Sequence, residues 1–172
     1  MTNSSDDVLA HVRQDDTGQW LHHSLEDHLL GVATVAEAFA SAFNSSDWGK
    51  LAGLWHDLGK YRPAFQRYIR GASGYDAHIE TTSGRVDHST AGALHAMERM
   101  KNLGRILAYL IAGHHSGLPD WQSAESPASS LVHRLQQGEV RFAAQGHPGG
   151  VAPGRPRFDR ADHGLRQGAG FL

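Results

Sequence analysis

Cysteine is absent from this 172-residue chain. That excludes disulfides, zinc–thiolate sites and cysteine nucleophiles, and it fits a reducing compartment. A strong charge of one sign is lacking as well. The formal net charge is −2, so any contact with a polyanion must come from a local patch or from bound metals. No apolar run approaches the roughly 18 residues needed to span a membrane. Met1 to Gln19 is polar and acidic, without the hydrophobic stretch of a secretory signal, and cytoplasm is the expected compartment. Three common signatures are also missing: the phosphate loop Gly-x-x-x-x-Gly-Lys-Ser/Thr, the string His-Glu-x-x-His and the elbow Gly-x-Ser-x-Gly. The chain is therefore not an ATPase by itself. With 40% hydrophobic residues it is long enough for one globular domain with a core.

Histidine, by contrast, is abundant, at 13 residues. In such a composition a His-Asp dipeptide occurs about once by chance, so the pair His56-Asp57 has to be judged by its surroundings. Five histidines have informative ones: His28, His56, His88, His114 and His115. They fall on four segments that read as amphipathic helices or helix ends. His11, His22, His23, His78, His95, His133, His147 and His163 have no supporting context.

The pattern along the chain predicts an all-α domain over about residues 21–142. Residues 1–20 read as a flexible polar arm, and no strand pattern or internal repeat stands out. A first helix is expected after Ser24, with Glu26 and Asp27 in its first turn and Leu25, Leu29, Val32, Ala36, Phe39, Ala40 and Phe43 as its stripe. Asp47 is a candidate cap for a second helix through Trp48, Leu51, Leu54, Trp55 and Leu58, ended by Gly59. Pro63 suits the first turn of a short third helix. Residues 71–87 read as an exposed loop. Helices follow from Ser89 to Lys101 and from Leu103 to His114, the latter with Ile106, Leu107, Leu110 and Ile111 as its apolar face. Pro127 opens a last helix through Leu131, Val132 and Leu135. Residues 143–172 are Gly- and Pro-rich, mildly basic and expected to be disordered.

The chemistry rests on a few positions. A carboxylate between Trp55 and Leu58 needs a partner, because an unpaired buried charge is costly. A metal is one such partner, and Asp57 could bridge two; the alternative is a capping Asp beside a surface His. His114 and His115 at a helix end could converge on one ion, or could simply be favoured there by the helix dipole. Ser89 could cap its helix and leave His88 pointing inward, or His88 could be an exposed loop residue. His28 flanks the first helical stripe, as either a ligand or a boundary residue. Lys60, one turn past His56, could contact a phosphate or be solvated.

Four strings in order resemble the HD metal-dependent phosphohydrolases, and more narrowly the HD nuclease domain of the CRISPR type I interference nuclease-helicase. They are Leu25-Glu26-Asp27-His28-Leu29; Trp55-His56-Asp57-Leu58-Gly59-Lys60 followed by Phe65; Asp87-His88-Ser89 with Ala91-Gly92-Ala93; and Gly113-His114-His115-Ser116-Gly117. The resemblance covers roughly residues 20 to 137. It implies a helical bundle around a metal centre, with His28, His56 and Asp57 on one ion and Asp57, His88, His114 and His115 on a second. It implies one or two divalent transition metals (manganese, nickel, cobalt or iron rather than magnesium) and single-stranded DNA as substrate, with Asp57 and, from its place beside the metals, Lys60 as the candidate catalytic residues. The implied partners are a helicase part and a guide-RNA surveillance complex, with no membrane. Two departures stand out. The helicase is not in this sequence, which fits a separate subunit or a fragment. A further metal-binding aspartate usual in that family has no counterpart in a downstream helix, where the Gly- and Pro-rich stretch offers only Asp159 and Asp162. Related readings are a nucleotide phosphohydrolase and a truncated, non-catalytic docking module.

Overall fold

The computed structural model describes residues 8–75 and 86–144. Residues 1–7 of the expected arm, most of the expected 71–87 loop, and the tail from 145 onward with Asp159 and Asp162 lie outside the described residues. The described chain is mostly helical, as predicted, with one unpredicted strand pair at its start. Strands β1 (Leu9–Gln14) and β2 (Trp20–Ser24) form an antiparallel hairpin. Part of the expected flexible arm is therefore ordered. The turn is built by Asp15, whose Oδ1 accepts from the Thr17 and Gln19 amides at 2.9 Å each. The strands carry three histidines, and their apolar residues (Leu9, Ala10, Val12, Trp20 and Leu21) do not alternate, so the sequence gives almost no strand signal. Gln66 secures the hairpin from outside. Its amide donates to Leu9 O and its Oε1 accepts from Leu9 N, both at 2.9 Å, in place of a third strand.

Helix α1 (Leu25–Ser41) follows β2 directly. Ser24 caps it, accepting from the Asp27 amide and donating to the Asp27 carboxylate at 2.8 Å. Its buried residues are Leu25, Leu29, Ala33 and Ala40; Phe39 and Phe43, expected in the stripe, are exposed. Helix α2 (Ser46–Trp55) packs on α1. Its cap position is Ser45, without a side-chain cap bond, and Asp47 lies in the first turn instead. The helix also stops earlier than Gly59. His56 is its last cap, Asp57 sits in the turn beyond, and Leu58–Tyr61 form a 3-10 turn. Gly59 serves there in close approach: its amide donates to His88 O at 3.1 Å, and a Cβ would lie 2.1 Å from that oxygen.

Helix α3 (Pro63–Ala72) begins at its proline, as predicted. Helix α4 (Ser89–Met100) leads through a 3-10 turn to α5 (Gly104–Gly113). Ser89 does not cap α4. The cap position is His88, and Asp87 before it serves the first amides, its Oδ1 accepting from Ser89 N and Thr90 N at 3.2 Å. On α5 the buried face is Leu107, Ala108, Ile111 and Ala112, while Ile106 and Leu110 are half exposed. Pro127 starts only a 3-10 turn; α6 (Leu131–Ala144) begins after Ser130. Leu25, Leu29, Leu107, Ile111 and Leu131 are the largest fully buried side chains. Each such leucine or isoleucine contributes about 1.5–3 kcal/mol of hydrophobic stabilisation. They bind α1, α5 and α6 into one core, and the helix ends that carry the histidines meet at its edge.

Candidate metal centre

Each predicted ligand sits where a helix begins or ends. His28 is in the first turn of α1, His56 caps the end of α2 and Asp57 follows it. His88 precedes α4, and His114 and His115 follow α5. Helix ends escape the i to i+4 spacing, so neighbours such as His56 and Asp57 can reach one point from different directions. All six side chains are brought together. Asp57 Oδ2 lies 3.0 Å from His28 Nε2 and 3.1 Å from His56 Nε2. Asp57 Oδ1 lies 3.3 Å from His88 Nε2 and 3.6 Å from His114 Nε2, and His115 Nε2 is 2.9 Å from His88 Nε2. The six divide into two sets that could each hold a metal ion, His28/His56/Asp57 and Asp57/His88/His114/His115.

The hydrogen bonds behind the rings indicate what their inner faces present. His56 Nδ1 is 2.8 Å from Gly53 O, His114 Nδ1 is 2.7 Å from Ile111 O, and His88 Nδ1 is 3.3 Å from Val86 O. A carbonyl only accepts, so each Nδ1 carries hydrogen and the neutral ring turns an Nε2 lone pair inward. Backing of this kind orients ligating imidazoles in metal sites. Without a cation, lone pairs on His56 and His88 would face the Asp57 oxygens. Asp57 Oδ1 is buried and has no hydrogen-bond donor. Metal–ligand bonds of about 2.0–2.2 Å place neighbouring ligand atoms about 3 Å apart, the spacing seen here. The donor set therefore fits divalent metal.

Electrostatics support a charged Asp57 and a neutral His88, while His114 without metal is drawn toward its protonated form. Burial pushes the Asp57 carboxyl up, but the imidazoles of His114, His28 and His56 outweigh it and hold the group ionised, well below the usual carboxylate range. Burial lowers His88 to about 4, against the pull of Asp57, which keeps this ring neutral and able to ligate. His114 is shifted the other way: burial opposes its charge, but Asp57 and the Ile111 carbonyl raise it. Lys60, expected to contact a phosphate or be solvated, is buried. Its ammonium lies 2.9 Å from Asp57 Oδ2 and 3.2 Å from Ala10 O, and so balances the carboxylate.

Three contributors were not singled out from the sequence. Arg134 of α6 donates to Thr90 Oγ1 at 2.8 Å, Ala112 O at 2.8 Å, Asp87 Oδ1 at 3.1 Å and Ser89 Oγ at 2.6 Å. It thus ties the start of α4, which carries His88, to the end of α5, which carries His114. A lone arginine on an amphipathic helix gives no sign of this in sequence. His11 and His23 are the other two, brought beside His28 by the hairpin; only recognising the strands would have revealed them.

Fold and site together define a helical domain with a histidine-rich centre suited to divalent metal. The chain matches the HD domain over residues 25–137 and belongs to that family of metal-dependent phosphohydrolases. No curated protein matches it.

Proposed function

We propose that this HD domain is a metal-dependent nuclease that hydrolyses phosphodiester bonds of single-stranded DNA. We place it in CRISPR type I interference, in the cytoplasm, beside a helicase and a guide-RNA surveillance complex. The observation that carries the chemistry is Asp57, whose two oxygens each face a separate set of imidazoles. A shared carboxylate suits two ions about 3.5–4 Å apart, the arrangement used for in-line displacement at phosphorus. Divalent ions held there supply Lewis-acid activation of water and neutralise charge on the phosphate. Imidazole-rich ligation favours manganese, nickel, cobalt or iron over magnesium.

The chain's own residues have distinct parts. Asp57 joins the two sets, the backbone carbonyls aim the rings, and Lys60 balances Asp57 from the buried side. His114, His115 and Ser116 are exposed and form an open rim. Beside them is a cleft of about 190 Å³, lined among others by His88, His115 and Ser116. An open rim supports a polymeric substrate over a mononucleotide.

The test is degradation of circular single-stranded DNA by metal-stripped protein, with manganese, nickel, cobalt or magnesium added back and Asp57→Ala beside it. A circle has no ends, so its loss reports endonucleolytic entry. Loss that needs transition metal and vanishes in Asp57→Ala is the expected result. Turnover of nucleotides with the circle intact would move the assignment to a nucleotide phosphohydrolase. Folded protein inert toward both would favour a docking module.

A further inference from the structure

The hairpin holds two histidines that the centre does not use, beside one that it does. His11 of β1 and His23 of β2 are cross-strand partners in the register. Directly opposed residues point to the same face of a sheet. Their rings stack, with centroids 5.9 Å apart. β2 runs straight into α1, so His28 in the first turn of that helix falls beside the same face. The His28 ring stands edge-on to both, 4.8 Å from His11 and 5.5 Å from His23. One nitrogen from each of the three lies within 4.8 Å of the other two. His11 and His23 are exposed, so the group opens to solvent. Its frame is firm: Leu25 N donates to Val8 O at 2.8 Å, and Gln66 clamps Leu9.

We propose that His11, His23 and His28 form an additional transition-metal site at the mouth of the Asp57 centre. Three imidazoles with no carboxylate suit zinc, nickel, cobalt or copper(II), and exclude magnesium and calcium. His28 belongs both to this set and to the His28/His56/Asp57 set, so the occupancies of the two are linked. The hairpin site does not require the Asp57 centre to be filled, nor the protein to be a nuclease.

The test counts ions. Metal-stripped wild type, His11→Gln/His23→Gln, His22→Gln and Asp57→Ala are each loaded with Ni²⁺ alone, passed through gel filtration, and assayed for nickel per chain. Thermal melts check that each is folded. His22 lies on the opposite face of β2, with its ring 4.5 Å from that of Tyr75, and controls for histidines in general. The double variant should retain one ion fewer than wild type, and His22→Gln should equal wild type. Asp57→Ala should keep one ion, which disappears when the hairpin pair is also replaced. Equal nickel in wild type and the double variant overturns the proposal, as does an equal loss in His22→Gln. The hairpin exchange changes only surface residues, so this comparison stands even if Asp57→Ala does not fold. Failure of the Asp57 centre reads differently: wild type would then hold a single ion, unaffected by Asp57→Ala and lost with the hairpin pair.

Discussion

Asp57 and Gly59 show how closely single atoms are constrained around the centre. Asp57→Asn keeps the shape but removes the charge that faces both imidazole sets. It should lower metal-dependent hydrolysis by at least about 100-fold, as loss of a key electrostatic contact does, and should lower nickel content on metal loading. It also leaves Lys60 buried without its carboxylate, so chemical denaturation should show a loss of about 3 kcal/mol. Gly59→Ala acts by another route. The new Cβ would press on the carbonyl of His88, an overpacking strain of about 1–3 kcal/mol. The strain falls between Asp57 and His88, so metal affinity should drop along with the melting temperature. A variant as stable as wild type with unchanged metal affinity would show that this contact can relax freely. His56 and Asp57 stood out in the sequence because a carboxylate among apolar neighbours needs a partner. Their position beyond the helix did not: the apolar pattern runs on to Leu58, and Gly59, read as the helix end, instead donates its amide to the distant His88 carbonyl.

At the scale of elements, two side chains substitute for missing connections. Gln66 takes the place of a strand beside β1, and Arg134 links the ends of α4 and α5. Gln66→Ala removes both hydrogen bonds to Leu9, about 1 kcal/mol each net. Hydrogen exchange at the amides of β1 should speed up while those of α5 stay protected; uniform acceleration would mean that the hairpin unfolds only with the core. Arg134→Met should lower stability by about 1–3 kcal/mol through the polar groups it strands. It should also weaken metal binding without touching a ligand. Asp87, which serves the first amides of α4, is tied to the same network. Burial pushes its carboxyl up, but Thr90 and Arg134 outweigh that and hold it below its ordinary value. Its contribution is thus present at neutral pH and lost as pH falls through the depressed pKa. Acid unfolding of Asp87→Asn should lack that component.

For the whole molecule, the centre joins the ends of α2 and α5 with the starts of α1 and α4. An ion that binds the folded chain and not the unfolded one therefore stabilises the entire domain. At a metal concentration 100 times the dissociation constant the gain is about 2.7 kcal/mol. For a chain of this size that is a rise of roughly 5–10 °C in melting temperature, reversed by a chelator. Manganese, nickel or cobalt should produce it and magnesium should not; an unchanged melting temperature with every metal would count against the centre. None of the helices in the described residues is long and apolar enough to cross a membrane.

Local sequence was enough to predict the helical class and most helix positions, and likeness to a known family pointed to the residues that gather at the centre. The helices follow from local spacing: apolar stripes at helical period, Ser24 before α1 and Pro63 opening α3. The ligands came instead from the likeness of the four strings around His28, His56, His88 and His114 to the HD family. Tertiary structure decided what depends on distant atoms. It set the division of Asp57 between two sets of rings, the burial of Lys60 against Ala10, the bracing by Arg134 and the meeting of His11 and His23 beside His28. Periodicity reports which face of an element is apolar. It carries no information on which helix ends converge, because that is fixed by how the core packs.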